Sequence, residues 1–546
     1  MRVSLVRVLP LSWNLPMRLN YKNTKQLVVG LAVTTALTGC GNPDGVYHEA
    51  LEWFGARTQY KNPIPPSSQI QAIHNAAPFI VDLHADTLLH PDAGGDDGYR
   101  LLVNEEREGH VDINRMIEGN VAMEVFAAAS KGSLDIAGDT IPWITGYYTD
   151  DDGVKHSRYN YVRDPNVWEY DDENSPYAEH YAWVSMERDL ATYFYRVSGM
   201  PCTTWYEDGG WSLDWGITSE CTEFDPERMY IVRLLETAKK LHRAANLDSR
   251  IKLIKAQSDL DDLIARRQNG EALVGAMLST EGIYFRSDVS TPEGEAALTS
   301  AYHELYDAGF RMFALTHFID NDYGGSSTGM ARAHDELGLG REIKAEGLHF
   351  AKEVVDNNTI LDLAHASRAT FVNLVDYALE RNVPVVVSHT GLAEIPGTDE
   401  TCRNSRNLYD QEIINVAATG GVIGIGFAEA FICDTKPIAW AKAVRHAVDV
   451  ITDAGLTVTD AGCAESGADN CTTLVNGVDH VALGTDYDGG VETYTDIDSL
   501  NQYTEALICE KTWWKTNCLD NPFTVEEAYK ILGGNSLAVM RKILPQ

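Results

Sequence analysis

Eight short apolar runs recur along this chain with helix-like sequence between several of them, and that alternation constrains the fold more than any other feature. The runs are residues 79–84, 121–127, 273–279, 311–315, 360–363, 384–387, 421–427 and 480–484. Each is of strand length and bounded by polar or turn-forming residues, as buried strands are. The intervening segments carry helix signals. Ser367 precedes Phe371, Leu374, Val375, Ala378 and Leu379, which recur at a 3.6-residue period, so it caps a helix, and Leu298, Tyr302 and Leu305 repeat in the same way. A last helix starts at Thr524, where Glu527 completes a capping box, and Gly533-Gly534 breaks it before Asn535. Eight strands alternating with helices predict an α/β fold of the (β/α)8 TIM-type barrel class. The alternative is a doubly wound sheet with residues 420–426 as its phosphate loop, but that glycine-rich segment reads as a strand rather than a loop opening a helix.

A barrel of this kind carries its active site at the carboxyl ends of the strands. The first run leads into Val81-Asp82-Leu83-His84-Ala85-Asp86, whose alternation puts Asp82, His84 and Asp86 on one face. An imidazole beside a carboxylate suits a divalent metal such as zinc. Alone, the pair reads more readily as a hydrogen-bonded strand terminus. The other ends repeat the pattern: Thr280-Glu281-Gly282 closes the third run, Thr316-His317 the fourth, Ala364-His365 the fifth, Ser388-His389 the sixth and Thr485-Asp486-Tyr487-Asp488 the eighth. Six strand ends thus bear groups for metal binding or proton transfer, and no nucleophilic serine or cysteine stands among them.

Charge and cysteine usage narrow the partners and the compartment. The chain has 546 residues, 44% of them hydrophobic, enough for a large core, and its 44 basic against 80 acidic residues give a formal charge of -36. Such a balance repels phosphate backbones and anionic surfaces, so nucleic acid is not an expected partner. Lys22 and Lys25 precede an apolar run over residues 27–37, and Leu37-Thr38-Gly39-Cys40 follows, in the order of a signal sequence. The run is too short to span a bilayer. Leu-Thr-Gly-Cys resembles the lipobox of bacterial lipoproteins, which implies export, removal of residues 1–39 and a lipid anchor on Cys40, with Met17 as a second candidate start; an ordinary cleaved secretory signal is the alternative. Residues 40–76 then form a tether and lead-in, and residues 77–546 the barrel. In an oxidising compartment the other eight cysteines read as disulfides, with neighbour pairing Cys202–Cys221, Cys402–Cys433, Cys463–Cys471 and Cys509–Cys518. A thiolate zinc site is the alternative use of them.

Taken together, Asp82-Leu83-His84-Ala85-Asp86, Gly109-His110-Val111-Asp112, Thr280-Glu281-Gly282, Leu315-Thr316-His317, Leu361-Asp362-Leu363-Ala364-His365-Ala366-Ser367, Ser388-His389, Arg403-Asn404-Ser405-Arg406-Asn407, Gly484-Thr485-Asp486-Tyr487-Asp488-Gly489 and Gly534-Asn535 resemble the membrane (renal-type) dipeptidase family of dizinc peptidases. The likeness covers roughly residues 77–127 and 224–542. It implies two zinc ions, one on His84 and Asp86, the other on His365 and His389, with Glu281 shared between them. It further implies that His317 meets the substrate carbonyl, that Asp486 handles the proton, that Arg406 meets the substrate carboxylate, and that the substrate is a dipeptide or a small peptide-like molecule.

Two departures stand out against that family pattern. Members commonly have a tyrosine after the seventh strand, whereas here Ile425-Gly426-Phe427-Ala428-Glu429 offers none. An insertion over roughly residues 130–223 holds Trp143, Trp168, Trp183, Trp205, Trp211 and Trp215 of the chain's 11 tryptophans. It would shape the mouth of the site for a larger ligand such as a cell-wall fragment, or else form a packed subdomain or the contact of a homodimer. Two other functions stay open at this point: a dimetal hydrolase of another amide or ester, and a lipoprotein that binds metal without catalysis.

Overall fold

All eight apolar runs become strands, and six of them end within a few residues of a group singled out above. They are β1 (Ile80–Ala85), β2 (Val121–Ala129), β3 (Val274–Glu281), β4 (Phe310–Ala314), β5 (Ile360–Asp362), β6 (Val386–Thr390), β7 (Val422–Ile425) and β8 (Val481–Leu483). They pair in the order β2-β1-β8-β7-β6-β5-β4-β3, and β2 pairs with β3 to close the ring. Every one of these pairings is parallel. The sheet is therefore a closed (β/α)8 barrel, not a doubly wound sheet; residues 422–425 form its seventh strand and open no helix. This computed structural model describes residues 66–89, 102–103, 109–129, 147–149, 155–157, 229–283, 285, 287–317, 321–327, 342–398, 402–459, 472–489, 491, 493–510 and 518–546. The signal segment, Cys40 and nearly all of the insertion lie outside them.

The helices around the barrel start where the sequence provides caps. Among them are α1 (Ser68–Asn75), α2 (Ile113–Glu118), α3 (Met229–Leu247), α4 (Gln257–Gln268), α5 (Pro292–Ala308), α6 (Ala345–Asp356), α7 (Arg368–Arg381), α8 (Asp410–Ala418), α9 (Pro437–Asp453) and α10 (Asn501–Ile508). Thr291 accepts from Gly294 N ahead of α5, which opens with proline and closes on left-handed Gly309. Ser367 accepts from Thr370 N and caps α7, which buries Phe371, Leu374, Val375 and Ala378. The Thr524/Glu527 capping box forms as expected. Gly533 does leave the helical conformation, but the chain kinks there and re-enters a helix at once as α11 (Asn535–Ile543). The reason is close approach: a Cβ on Gly533 would strike the carbonyl oxygen of Phe79, and Asn535 donates to the carbonyls of Val478 and Val481, pinning α11 against the barrel.

One buried cluster takes a side chain from every barrel strand: Val81, Met123, Met277, Met312, Ile360, Val386, Val422 and Ala482, with Val539 and Met540 of α11 and Leu544 packed among them. Burial of side chains of this size contributes about 1.5–3 kcal/mol each, which fixes the ring on which the site is built. A larger cluster fills the space shared by the strands and the surrounding helices, with Leu278, Tyr302, Phe313, Phe350, Phe371 and Trp440 in it.

Two of the four expected disulfides are present, Cys402–Cys433 and Cys509–Cys518, with Cα atoms 5.4 and 5.5 Å apart. Those four sulfurs are thus not thiolate ligands. The other two pairs lie outside the described residues. A short strand, Ile251–Leu253, pairs with the first residues of β3 and was not expected. Three residues are too few to establish an alternating pattern.

Candidate metal centre

The strand ends bring the chemistry-bearing residues to one place. His84 lies near the end of β1 with Asp86 just beyond it, Glu281 ends β3, His317 follows β4, His365 follows β5, His389 lies in β6 and Asp486 follows β8. All seven are buried. Glu281 Oε1 is the common centre. It lies 3.0 Å from His365 Nε2, 3.3 Å from His317 Nε2, 3.5 Å from His389 Nε2 and 3.7 Å from His84 Nε2. His84 Nε2 is in turn 3.5 Å from Asp86 Oδ2 and 3.8 Å from Asp486 Oδ1.

Backbone strain and buried carboxylates set these positions. His365 and Asp486 have φ of 63°, a left-handed conformation that side chains other than glycine adopt at some cost. Asp362, at the end of β5, accepts from Ala364 N at 3.0 Å and from Ser388 N at 2.9 Å, so one carboxylate orders the turn to His365 and the strand bearing His389. Asp82 does the same between β1 and β8, accepting from Thr485 N at 2.8 Å, from the Thr485 hydroxyl and from His84 N at 3.4 Å. Ser388 Oγ is 3.0 Å from His389 Nδ1, which helps orient the ring that turns Nε2 toward Glu281. The expected common face of β1 thus divides its work: His84 and Asp86 reach the cluster, while Asp82 supports it by tying β1 to Thr485 beyond β8.

Electrostatics follow from burial and crowding. Burial pushes Glu281 well above the usual carboxylate range, the negative charge of Asp86 adding to it. Asp486 is pushed up to about 7 by burial and by Asp86, against the opposing pull of His84 and Arg406. His84 goes the other way for a buried imidazole: burial lowers it, but Glu281 and Asp86 outweigh that and raise it to about 10. His365 and His389 are held well below the ordinary histidine value by burial and then by nearby positive charge.

The donor set fits metal ions. Both ring nitrogens of His84, Asp86 Oδ1 and Glu281 Oε2 are buried without a hydrogen-bond partner among the described residues. Each such group costs about 1–3 kcal/mol unless something binds it. Three overlapping sets have ligand atoms within 4.8 Å of one another: His84, Asp86 and Glu281; Glu281, His317 and His365; His84, His389 and Asp486. Imidazole nitrogen with carboxylate oxygen is a zinc-type donor set, and the sharing of His84 and Glu281 between sets suits neighbouring ions.

Arg406 stands beside this cluster, in the connection from β6 to α8. Its guanidinium donates Nη2 to the His389 carbonyl at 2.8 Å and Nη1 to Thr390 Oγ1 at 3.4 Å, whereas Arg403 is exposed. Asn407 donates to the carbonyls of Cys402 and Ala430, and the Cys402–Cys433 disulfide closes the same junction. After β7, Phe427 is buried and stacks on Tyr503 at 3.8 Å. Sequence reasoning quoted Asp362, Ser388 and Asp488 within motifs and gave them no task. The available signal was a carboxylate or hydroxyl in an otherwise apolar strand end, which a buried position must pair.

A model of the membrane dipeptidase family, peptidase family M19, matches residues 215–544. A dipeptidase of Schizosaccharomyces pombe is 25% identical over 283 residues, which cover 52% of this chain and 56% of that protein. The chain spans a little over half the length of the sequence relatives it matches, with 54% and 58% for two others. Among solved structures, a metallopeptidase of Rhodobacter sphaeroides liganded with a phosphinate mimic of the dipeptide L-Ala-D-Ala is similar at a TM-score of 0.52 and 15% identity, over 85% of this chain and 99% of that one. A metallopeptidase of family M19 described as dipeptidase AC gives a TM-score of 0.51 at 15% identity, over 86% and 99%. At that identity the two structures speak for the fold.

Proposed function

This chain belongs to the membrane dipeptidase family, and on that premise we propose that it is an exported, zinc-dependent dipeptidase. The observation that carries the proposal is the convergence of four imidazole Nε2 atoms within 3.0–3.7 Å of one oxygen of Glu281. His84 and Asp86 would hold one zinc ion, His365 and His389 a second, and Glu281 both. Zinc, when bound, lowers the pKa of water toward neutrality and polarises a carbonyl.

The protein groups supply the rest. Asp486, buried and crowded by Asp86, is poised to accept a proton from the attacking water and deliver it to the leaving amine. His317, whose Nε2 lies 3.3 Å from Glu281 Oε1, would donate Nε2–H to the oxygen of the reacting carbonyl once charge develops there. Arg406 would take the free carboxylate of the substrate with the donors that His389 and Thr390 leave over. With Phe427 committed to stacking on Tyr503, that carboxylate rests mainly on Arg406. The order of basic, apolar and Leu-Thr-Gly-Cys segments supports export and a lipid anchor on Cys40.

The test is a panel of L,L and L,D dipeptides with zinc counted per chain. Turnover of free dipeptides by protein carrying two zinc ions is expected. A preference for simple esters or non-peptide amides would move the reading to another dimetal hydrolase, and metal binding without turnover of any of them would make it a binding protein.

A further inference from the structure

Asp486 owes its place to a turn whose conformation the chain does not favour. Asp486 and Asp488 both have positive φ, 63° and 62°, and each non-glycine residue so held costs of order 1–3 kcal/mol. Such a turn persists only where its surroundings over-determine it. Part of the hold is backbone: Asp86 N donates to the Tyr487 carbonyl at 2.8 Å, and Asp486 N to the His84 carbonyl at 3.2 Å. The rest is the Asp488 side chain. Its Oδ2 accepts from Thr87 Oγ1 at 2.7 Å, its Oδ1 accepts from His110 N at 2.5 Å, and Asp488 N donates to His110 Nδ1 at 3.0 Å. Gly109, with φ of 70°, leaves no room for a Cβ against Asp488 Oδ1. Thr87 and Asp488 are both buried, and Asp488 belongs to none of the three metal-ligand sets.

We propose that Asp488 is a positioning residue: it ties the Asp486 turn to Thr87, the residue after the ligand Asp86, and to Gly109-His110, and so sets where Asp486 meets the reacting water. The inference gives the Gly109-His110 motif a task, and it rests on the reading of Asp486 as the proton-handling group.

The experiment exploits the backbone. Asp488→Gly is at home at positive φ and removes only the carboxylate, while Asp488→Asn tolerates the same conformation and keeps an acceptor for His110 N. Thr87→Val deletes the partner hydroxyl at nearly constant shape. Zinc-loaded Asp488→Gly is expected to keep wild-type zinc content and a KM within about threefold while kcat falls about 10- to 100-fold, the loss that a misplacement near 1 Å brings. Asp488→Asn should recover part of that loss, and Thr87→Val should add little to Asp488→Gly because both break one contact. Amide hydrogen exchange at residues 486–489 should quicken in the Gly and Val variants. Wild-type kcat in Asp488→Gly, or unchanged exchange at the turn, overturns the inference. So does parallel loss of zinc, which would make Asp488 a support of the metal ligands. Should wild-type protein hydrolyse no dipeptide, the functional reading fails, and hydrogen exchange alone decides whether Asp488 holds the turn.

Discussion

Nε2 of His365 lies 3.0 Å from Nε2 of His389, and both rings are buried. Burial and neighbouring positive charge hold both well below the ordinary histidine value, so both stay neutral and offer lone pairs to a cation. Metal binding should therefore contribute directly to folding stability. Chelation is expected to lower Tm and zinc to restore it; zinc at about 1,000 times its Kd stabilises by about 4 kcal/mol. Thermal unfolding with and without chelator reads this, and a Tm indifferent to both would rule out a metal at these two histidines.

Glu281 is the group through which a single substitution should empty both ion sites together. Glu281→Gln keeps the shape and removes the charge shared among four imidazoles. Zinc content is expected to fall below one ion per chain and turnover to collapse together. A Gln variant with two zinc ions and normal kcat would remove Glu281 from the centre.

The barrel was legible because its strands are short, apolar and separated by capped helices, and the ligand set because chemistry in this fold collects at strand ends. Ser367 and Thr524 cap helices where local sequence alone places them. What local sequence could not disclose is pairing across the ring. Asp82 and Thr485 are 403 residues apart, and the Asp362–Ser388 contact joins two strands through a backbone amide, which any residue type provides. The kink at Gly533 was read as an end for the same reason: the carbonyl of Phe79 that demands a glycine there lies in another part of the chain.

On the proposed reading Asp486 handles protons rather than holding metal, and a single variant tests that, since it lies within reach of His84 and His389. Asp486→Asn should keep two zinc ions while kcat falls about 100-fold or more. Its carboxyl is pushed up to about 7 by burial and Asp86, and zinc beside it would pull that value down, so the wild-type rate should rise with pH through a limb below neutrality. That limb should vanish in the variant. Loss of one zinc ion in Asp486→Asn would instead make it a ligand.

Glu124, in β2, offers a stability test outside the metal cluster. It is fully buried, neither carboxylate oxygen has a hydrogen-bond partner among the described residues, and burial, then Asp82 and Asp488, raise it well above the usual range. A folded-state pKa above the unfolded one means the folded protein keeps a proton that the unfolded chain releases. Stability is then lost as pH rises above the unfolded value near 4.5, by up to about 1.4 kcal/mol per pH unit until the folded value is reached. Glu124→Gln does not titrate, so its Tm should gain on the wild type as pH rises from about 5 in zinc-saturated protein. A constant difference across that range would show that Glu124 finds a partner for its charge.

Arg406 and Arg403 differ by three positions, and only one of them stands at the site. Arg406 is half-buried, donates to the His389 carbonyl, and lies close enough to Glu281 and Asp486 for its charge to act on both, whereas Arg403 is exposed. A planar guanidinium with donors to spare matches a carboxylate in two parallel hydrogen bonds, which a neutral amide cannot repay with charge. Wild-type protein is therefore expected to prefer a dipeptide over its C-terminal amide by 100-fold or so in kcat/KM, about 3 kcal/mol. Arg406→Ala should lose most of that preference through KM, and Arg406→Lys should recover a part, since lysine restores the charge without the fork. Arg403→Ala should keep the full preference. Measuring kcat/KM for the acid and amide pair on all four proteins settles it: equal rates on acid and amide in the wild type would end the carboxylate-reading role, and loss of discrimination in Arg403→Ala alone would transfer it to the outer arginine.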